Sequence, residues 1–108
     1  MASAKAKDII SSAPVVVFSK SYCPYCTDVK NLFSRLHVQY KAIELDTESD
    51  GSDIQKALAE LTGQRTVPNV FIGGKHIGGC DTVTGLNKDG KLKPILTEAG
   101  ALVASASS

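Results

Sequence analysis

Val15-Val16-Val17-Phe18 is an unbroken apolar run of strand length, and the hydrophobic period changes after it. Beyond Pro24, the residues Val29, Leu32, Phe33 and Leu36 recur at spacings of three and four, which marks one face of a helix over residues 24–36. Residues 40–45 show partial alternation, with Tyr40, Ala42 and Glu44 on one side and Lys41, Ile43 and Leu45 on the other. Helical spacing resumes at Ile54, Ala57, Leu58 and Leu61, and Gly63 stands where a helix closes in the left-handed conformation. Ser52-Asp53-Ile54-Gln55 reads as a capping box that opens this helix. Asn69-Val70-Phe71-Ile72 and Lys75-His76-Ile77-Gly78, separated by Gly73-Gly74, predict an antiparallel hairpin. A helix entered through Gly79-Cys80-Asp81-Thr82 and broken at Asp89-Gly90 comes next, then a last helix from Lys91 with Leu92, Ile95, Leu96 and Ala99 on one side. At the N-terminal end, residues 4–12 form a short helix that Ala13-Pro14 stops, because the residue before a proline is driven out of the helical region.

Strand, helix, strand, helix is a βαβ unit with parallel strands. With the hairpin and closing helices added, the expected class is α/β, a four-stranded mixed sheet flanked by helices. The length, 108 residues, suits one domain with its own core, spanning residues 8–103, and the Ala/Ser-rich segment 101–108 is expected to fray.

Composition narrows the function classes. Forty-three per cent apolar residues and a net charge of +1 fit an ordinary globular chain and argue against a nucleic-acid binder, which carries a strong basic excess. No apolar run approaches the ~20 residues of a membrane helix. Residues 1–7 are small and mildly basic but lead into no signal-peptide core, and three cysteines are an odd count for a disulfide framework. The expected compartment is the cytosol. The acidic stretch Asp46-Thr47-Glu48-Ser49-Asp50-Gly51 reads as a solvated face without a role, and His37 as a complement to a helix C-terminus.

Reaction chemistry is concentrated in Ser21-Tyr22-Cys23-Pro24-Tyr25-Cys26-Thr27. A C-x-x-C pair between a strand and a helix lies at the helix N-terminus, where unpartnered N–H groups and the helix dipole favour a thiolate. Pro24 suits the first helical position. Cys23 is therefore read as the attacking thiolate and Cys26, one turn in, as the resolving thiol. A zinc site needs two more paired ligands, and Cys80, His37 and His76 offer no such spacing. Haem attachment needs His after the second Cys, where Thr27 stands. No metal is expected. A static disulfide does not suit a helix start in a chain without secretory features.

Cys23-Pro24-Tyr25-Cys26, Thr66-Val67-Pro68 and Gly78-Gly79-Cys80-Asp81, in this order and spacing, closely resemble the dithiol glutaredoxins of the thioredoxin-like superfamily. Lys20, Leu61-Thr62-Gly63, Asn69-Val70-Phe71-Ile72 and Lys75-His76-Ile77 fit as well, whereas thioredoxins proper place Trp before the pair and this chain has none. The resemblance implies glutathione as co-substrate, a monomer, and protein partners that are glutathionylated or carry disulfides. It implies that Pro68 is cis and that it turns the Val67 backbone, beside Thr66, toward Cys23, to pair with an extended peptide such as glutathione. Lys20, Gln55 and Arg65 match positions facing the glycine carboxylate. Gln55 suits its own capping box equally well. Gly79, Cys80, Asp81 and Thr82 match the segment that holds the γ-glutamyl end, with Thr82 standing where many members carry a second acid. Asp81 also suits an N-cap, and Tyr25 matches the pocket wall. A rival role, a [2Fe–2S] carrier ligated by Cys23 and glutathione, is disfavoured by Pro24, because cluster-binding members tend to carry Gly or Ser there. An inert binding module is disfavoured by the presence of both cysteines. Cys80 is either a further redox-active thiol or a packing residue.

Overall fold

The computed structural model describes residues 2–101, so most of the segment expected to fray lies outside the described residues. Among the described residues, nine elements run in order: α1 (Ala2–Ser11), β1 (Val15–Ser19), α2 (Pro24–Arg35), β2 (Lys41–Glu44), α3 (Gly51–Thr62), β3 (Asn69–Ile72), β4 (Lys75–Gly78), α4 (Cys80–Lys88) and α5 (Leu92–Glu98). The expected α/β arrangement is present. The strands lie in the order β2-β1-β3-β4, with β1 parallel to β2 and antiparallel to β3, and β4 antiparallel to β3.

β1 is apolar over its first four residues because both of its faces are covered. Val15 and Val17 join Val70 and Ile72 beneath Val29 and Phe33 of α2, Val83 of α4 and Leu92 and Leu96 of α5. Val16, Phe18 and Phe71 face the other way, against Ala6 and Ile10 of α1 and Ile54 and Leu58 of α3. Each large side chain fully buried here contributes about 1.5–3 kcal/mol. The alternation read in residues 40–45 holds, with Tyr40 on the first side and Ile43 and Leu45 on the second. Among the described residues, no helix is long and apolar enough to cross a membrane.

Three local expectations are corrected. The capping box at Ser52–Gln55 does not form: α3 starts at Gly51 with Asp50 as its N-cap, and the Gln55 amide turns away to donate to the Arg65 carbonyl at 2.9 Å. Gly51 admits this earlier start because it lies against the Leu45 carbonyl, where a Cβ would stand 1.8 Å from the oxygen. Gly79, not Asp81, is the N-cap of α4, which leaves Asp81 in the first turn, where an acid favours the helix dipole. The acidic stretch is not idle either. Asp46 accepts hydrogen bonds from the Ser21 backbone N–H at 3.0 Å and from its hydroxyl, and Lys5 pairs with Asp50 at 2.5 Å. His37 follows α2 with φ at 60°, its N–H on the Ser34 carbonyl, so it closes the helix in the left-handed region. Gly63 closes α3 as expected, with φ at 79°.

Candidate active site

Cys23 is the N-cap of α2 and Pro24 its first residue. The Cys23 sulfur accepts the Cys26 backbone N–H at 3.3 Å, the arrangement in which an unpartnered helix donor stabilises negative charge on sulfur. The loop before it is tied down by Asp46, which is held in its anionic form, with a lowered pKa, first by the Ser21 hydroxyl and then by the Ser21 N–H. Cys23 is half-buried and Cys26 fully buried, and both are free thiols. Burial, and then the Cys23 sulfur beside it, push the Cys26 pKa up to about 11. The two thiols therefore differ in the way the chain order suggested, one reachable and one enclosed.

Opposite the pair, the Val67–Pro68 peptide is cis, and the Val67 carbonyl lies 3.9 Å from the Cys23 sulfur. A groove of about 510 Å³ opens here, lined by Tyr25, Thr66, Val67, Pro68, Gly79, Cys80, Asp81 and Thr82. Eight of the anticipated residues thus meet in one depression. Lys20, Gln55 and Arg65 are not among its lining residues; Gln55 instead fastens the Arg65 carbonyl. Tyr22 and Tyr25 stand 72% and 63% exposed on either side of Cys23. Cys80 is half-buried, and burial raises its pKa, with Asp28 and Asp81 adding to the shift. Among the described residues no group of three or more His, Cys, Asp or Glu is placed to hold a metal ion.

Gln64 was not among the anticipated residues, yet its amide holds the cis-proline loop. Its Nε2 donates both to the Thr66 carbonyl at 3.0 Å and to the Pro68 carbonyl at 2.9 Å. With both hydrogens used, Oε1 must accept, and His76 Nε2 lies 3.2 Å from it. The His76 Nε2 therefore carries a hydrogen, and burial of the ring lowers its pKa. The one available hint in the sequence was position: a long amide directly after a helix-closing glycine and four residues before Pro68 can reach backbone on both sides of a turn.

A family model described as Glutaredoxin matches residues 15–77. Glutaredoxin-C6 of Oryza sativa subsp. japonica is 69% identical over 106 residues, covering 98% of this chain and 95% of that protein. Glutaredoxin-C2 of Arabidopsis thaliana is 69% identical over 102 residues, 94% of this chain and 92% of its own length. Among solved structures, the crystal structure of a buckwheat glutaredoxin–glutathione complex superposes with a TM-score of 0.94 at 62% identity, over 95% of this chain and 94% of that one.

Proposed function

Because the chain belongs to the glutaredoxin family, we propose that it is a glutathione-dependent thiol–disulfide oxidoreductase in which Cys23 attacks and Cys26 resolves. The observation that carries the assignment is the half-buried Cys23 sulfur at the start of α2, holding a helix N–H at 3.3 Å and lying 3.9 Å from the carbonyl of Val67, a residue that lines the groove of about 510 Å³. Cys23 thiolate attacks the glutathionyl sulfur of a protein mixed disulfide. The protein sulfur leaves with the electron pair and takes a proton from water. A glutathione thiolate then attacks the glutathionyl sulfur on Cys23, forming oxidised glutathione and returning Cys23 as thiolate. With protein disulfides, Cys26 displaces the substrate from Cys23, and glutathione later reduces the Cys23–Cys26 bond.

Glutathione lies along the groove as a short strand against the Val67 backbone, beside Thr66 and cis Pro68. Gly79, Cys80, Asp81 and Thr82 hold the γ-glutamyl end, where N–H groups of the first α4 turn meet its carboxylate and Asp81 meets its amine. Lys20 and the exposed Arg65 supply positive charge for the glycine carboxylate beyond the groove wall, with Gln55 acting through the Arg65 loop. Tyr25 closes the side next to the sulfur. The protein partners are glutathionylated or disulfide-bearing, and the chain acts as a monomer in the cytosol. Edge strands of only four residues each give little template for pairing and support the monomer. Light scattering of the purified protein and imaging of a tagged chain test these last two points.

The test is glutathione-dependent reduction of a glutathionylated peptide and of a protein disulfide by the wild type and by Cys26→Ser. Cys26→Ser is expected to retain the first activity and lose the second, and a wild type inactive on both substrates would overturn the reading. Gln64→Glu puts a carboxylate against two carbonyls where two N–H donors stood. Its expected effect is a rise of about tenfold in KM for the glutathionylated peptide, exceeding any fall in kcat and corresponding to about 1–2 kcal/mol of lost loop support. Steady-state kinetics decide this, and an unchanged KM would show that the loop holds its shape without the amide.

A further inference from the structure

His76 stands outside the groove, on β4, yet its side chain reaches the loop that forms the groove wall. The antiparallel register makes it the partner of Phe71, so the two side chains share the face of the sheet that α3 covers. Their rings meet at 51° with centroids 5.3 Å apart. α3 closes over that same face at Gly63, and Gln64 follows directly. Its amide is used on both sides. Nε2 donates to the Thr66 carbonyl at 3.0 Å and to the Pro68 carbonyl at 2.9 Å, and Oε1 lies 3.2 Å from His76 Nε2. The two carbonyls taken up by the amide flank Val67, whose own carbonyl lies 3.9 Å from the Cys23 sulfur. Among the described residues, neither the N–H nor the carbonyl of Val67 has a backbone partner. Gly79 meets the same amide: a Cβ there would stand 3.5 Å from the Pro68 oxygen and 3.8 Å from Gln64 Nε2. Gln64 therefore lies against two residues that line the groove, Pro68 and Gly79.

We propose that His76 is a positioning residue for the glutathione groove: by donating to Gln64 Oε1 it fixes the amide, and through the amide it holds the backbone on both sides of Val67. This role rests on the reading of Val67 given above, as the segment that pairs with glutathione. The two ends of a glutamine amide are nearly alike in shape, so hydrogen bonding has to tell them apart. Two carbonyls require donors on one side, and the imidazole N–H requires an acceptor on the other. A glutamine held at one end only keeps much of its torsional freedom, and immobilising it is a cost that the loop would otherwise bear. Loss of the His76 donor therefore loosens the 66–68 segment without removing any group from the groove. The effect belongs to binding of the glutathionyl moiety and not to the reactivity of Cys23.

The experiment compares the full chain with His76→Met and His76→Gln in glutathione-dependent reduction of a glutathionylated peptide. Methionine keeps the reach of the side chain and deletes the donor, whereas glutamine puts an N–H close to where Nε2 stood. His76→Met is expected to raise KM for the peptide about 3- to 10-fold with kcat changed less than about twofold, and His76→Gln to bring KM back within about twofold of the wild type. In a Gln64→Met background, His76→Met should add nothing, since the amide it acts through is gone. Nuclear magnetic resonance supplies a readout apart from catalysis. The Gln64 side-chain amide protons, both engaged with carbonyls, should exchange slowly with water in the wild type and in His76→Gln, and faster in His76→Met. An unchanged KM and exchange rate in His76→Met, a rise in KM that glutamine does not relieve, or a full effect in the Gln64→Met background would overturn the positioning role. A wild type inactive on the peptide would overturn the glutathione reading instead, and the amide exchange rates would still decide whether His76 holds Gln64.

Discussion

Cys23→Ser is expected to remove glutathione-dependent reduction of both mixed disulfides and protein disulfides. The fall should be about 1,000-fold or more, the equivalent of about 4 kcal/mol of barrier. Every route through the site begins with the Cys23 sulfur, and a serine hydroxyl is not ionised at neutral pH and cannot exchange with a disulfide. The fold should survive the change for a specific reason. Cys23 is the N-cap of α2 and its side chain accepts the Cys26 N–H. Serine is among the preferred residues for that position, so the replacement keeps the cap while deleting the nucleophile. Thermal unfolding beside the activity assay separates the two effects: an unchanged or higher midpoint with no activity is the expected pair of results. Residual exchange above the uncatalysed rate would mean that Cys26 or Cys80 can start the reaction.

Gly51→Ala carries the largest expected effect on stability. Its Cβ would stand 1.8 Å from the Leu45 carbonyl oxygen, which is backbone and cannot swing aside. Leu45 is itself pinned, its N–H on the Ser19 carbonyl at 2.8 Å and its side chain buried. The start of α3 or the end of β2 must therefore move, at a cost of about 3 kcal/mol. At about 4–8 °C per kcal/mol for a domain of this size, the midpoint should fall by about 12–24 °C. The damage should spread to the site, because Asp46, next to Leu45, holds the loop that presents Cys23. Calorimetry decides the matter, and a loss of a few degrees or less would mean that α3 can begin later at little cost.

These two positions also show what can be read from a chain and what cannot. Whereas cis Pro68 was implied only by the resemblance of Thr66-Val67-Pro68 to the family, the cysteine pair was legible because its chemistry depends on its own neighbours, a strand before it and a helix after it. Both faces of β1 were legible for the same reason, since an apolar run bounded by helical spacing leaves few other placements. Ser19 and Glu44 are 25 residues apart, and only the strand register makes them partners. A buried serine at the end of an apolar run does announce that it needs a partner, but not which one. Gln55 misled because a capping box and a side chain reaching a distant carbonyl share one sequence pattern. Gly51 read as the end of a solvated acidic stretch, and the oxygen that requires a glycine there belongs to Leu45, just beyond β2.

The two exposed tyrosines beside Cys23 have an optical consequence. The chain has no tryptophan and only three tyrosines. Tyr40 packs against Phe33, with ring centroids 6.0 Å apart. Two of the three intrinsic fluorophores therefore flank the reacting sulfur, where thiolate and disulfide quench emission to different extents. Ultraviolet excitation of the unlabelled protein thus reads the oxidation state of its own catalytic pair, with no dye attached and no tryptophan signal to subtract.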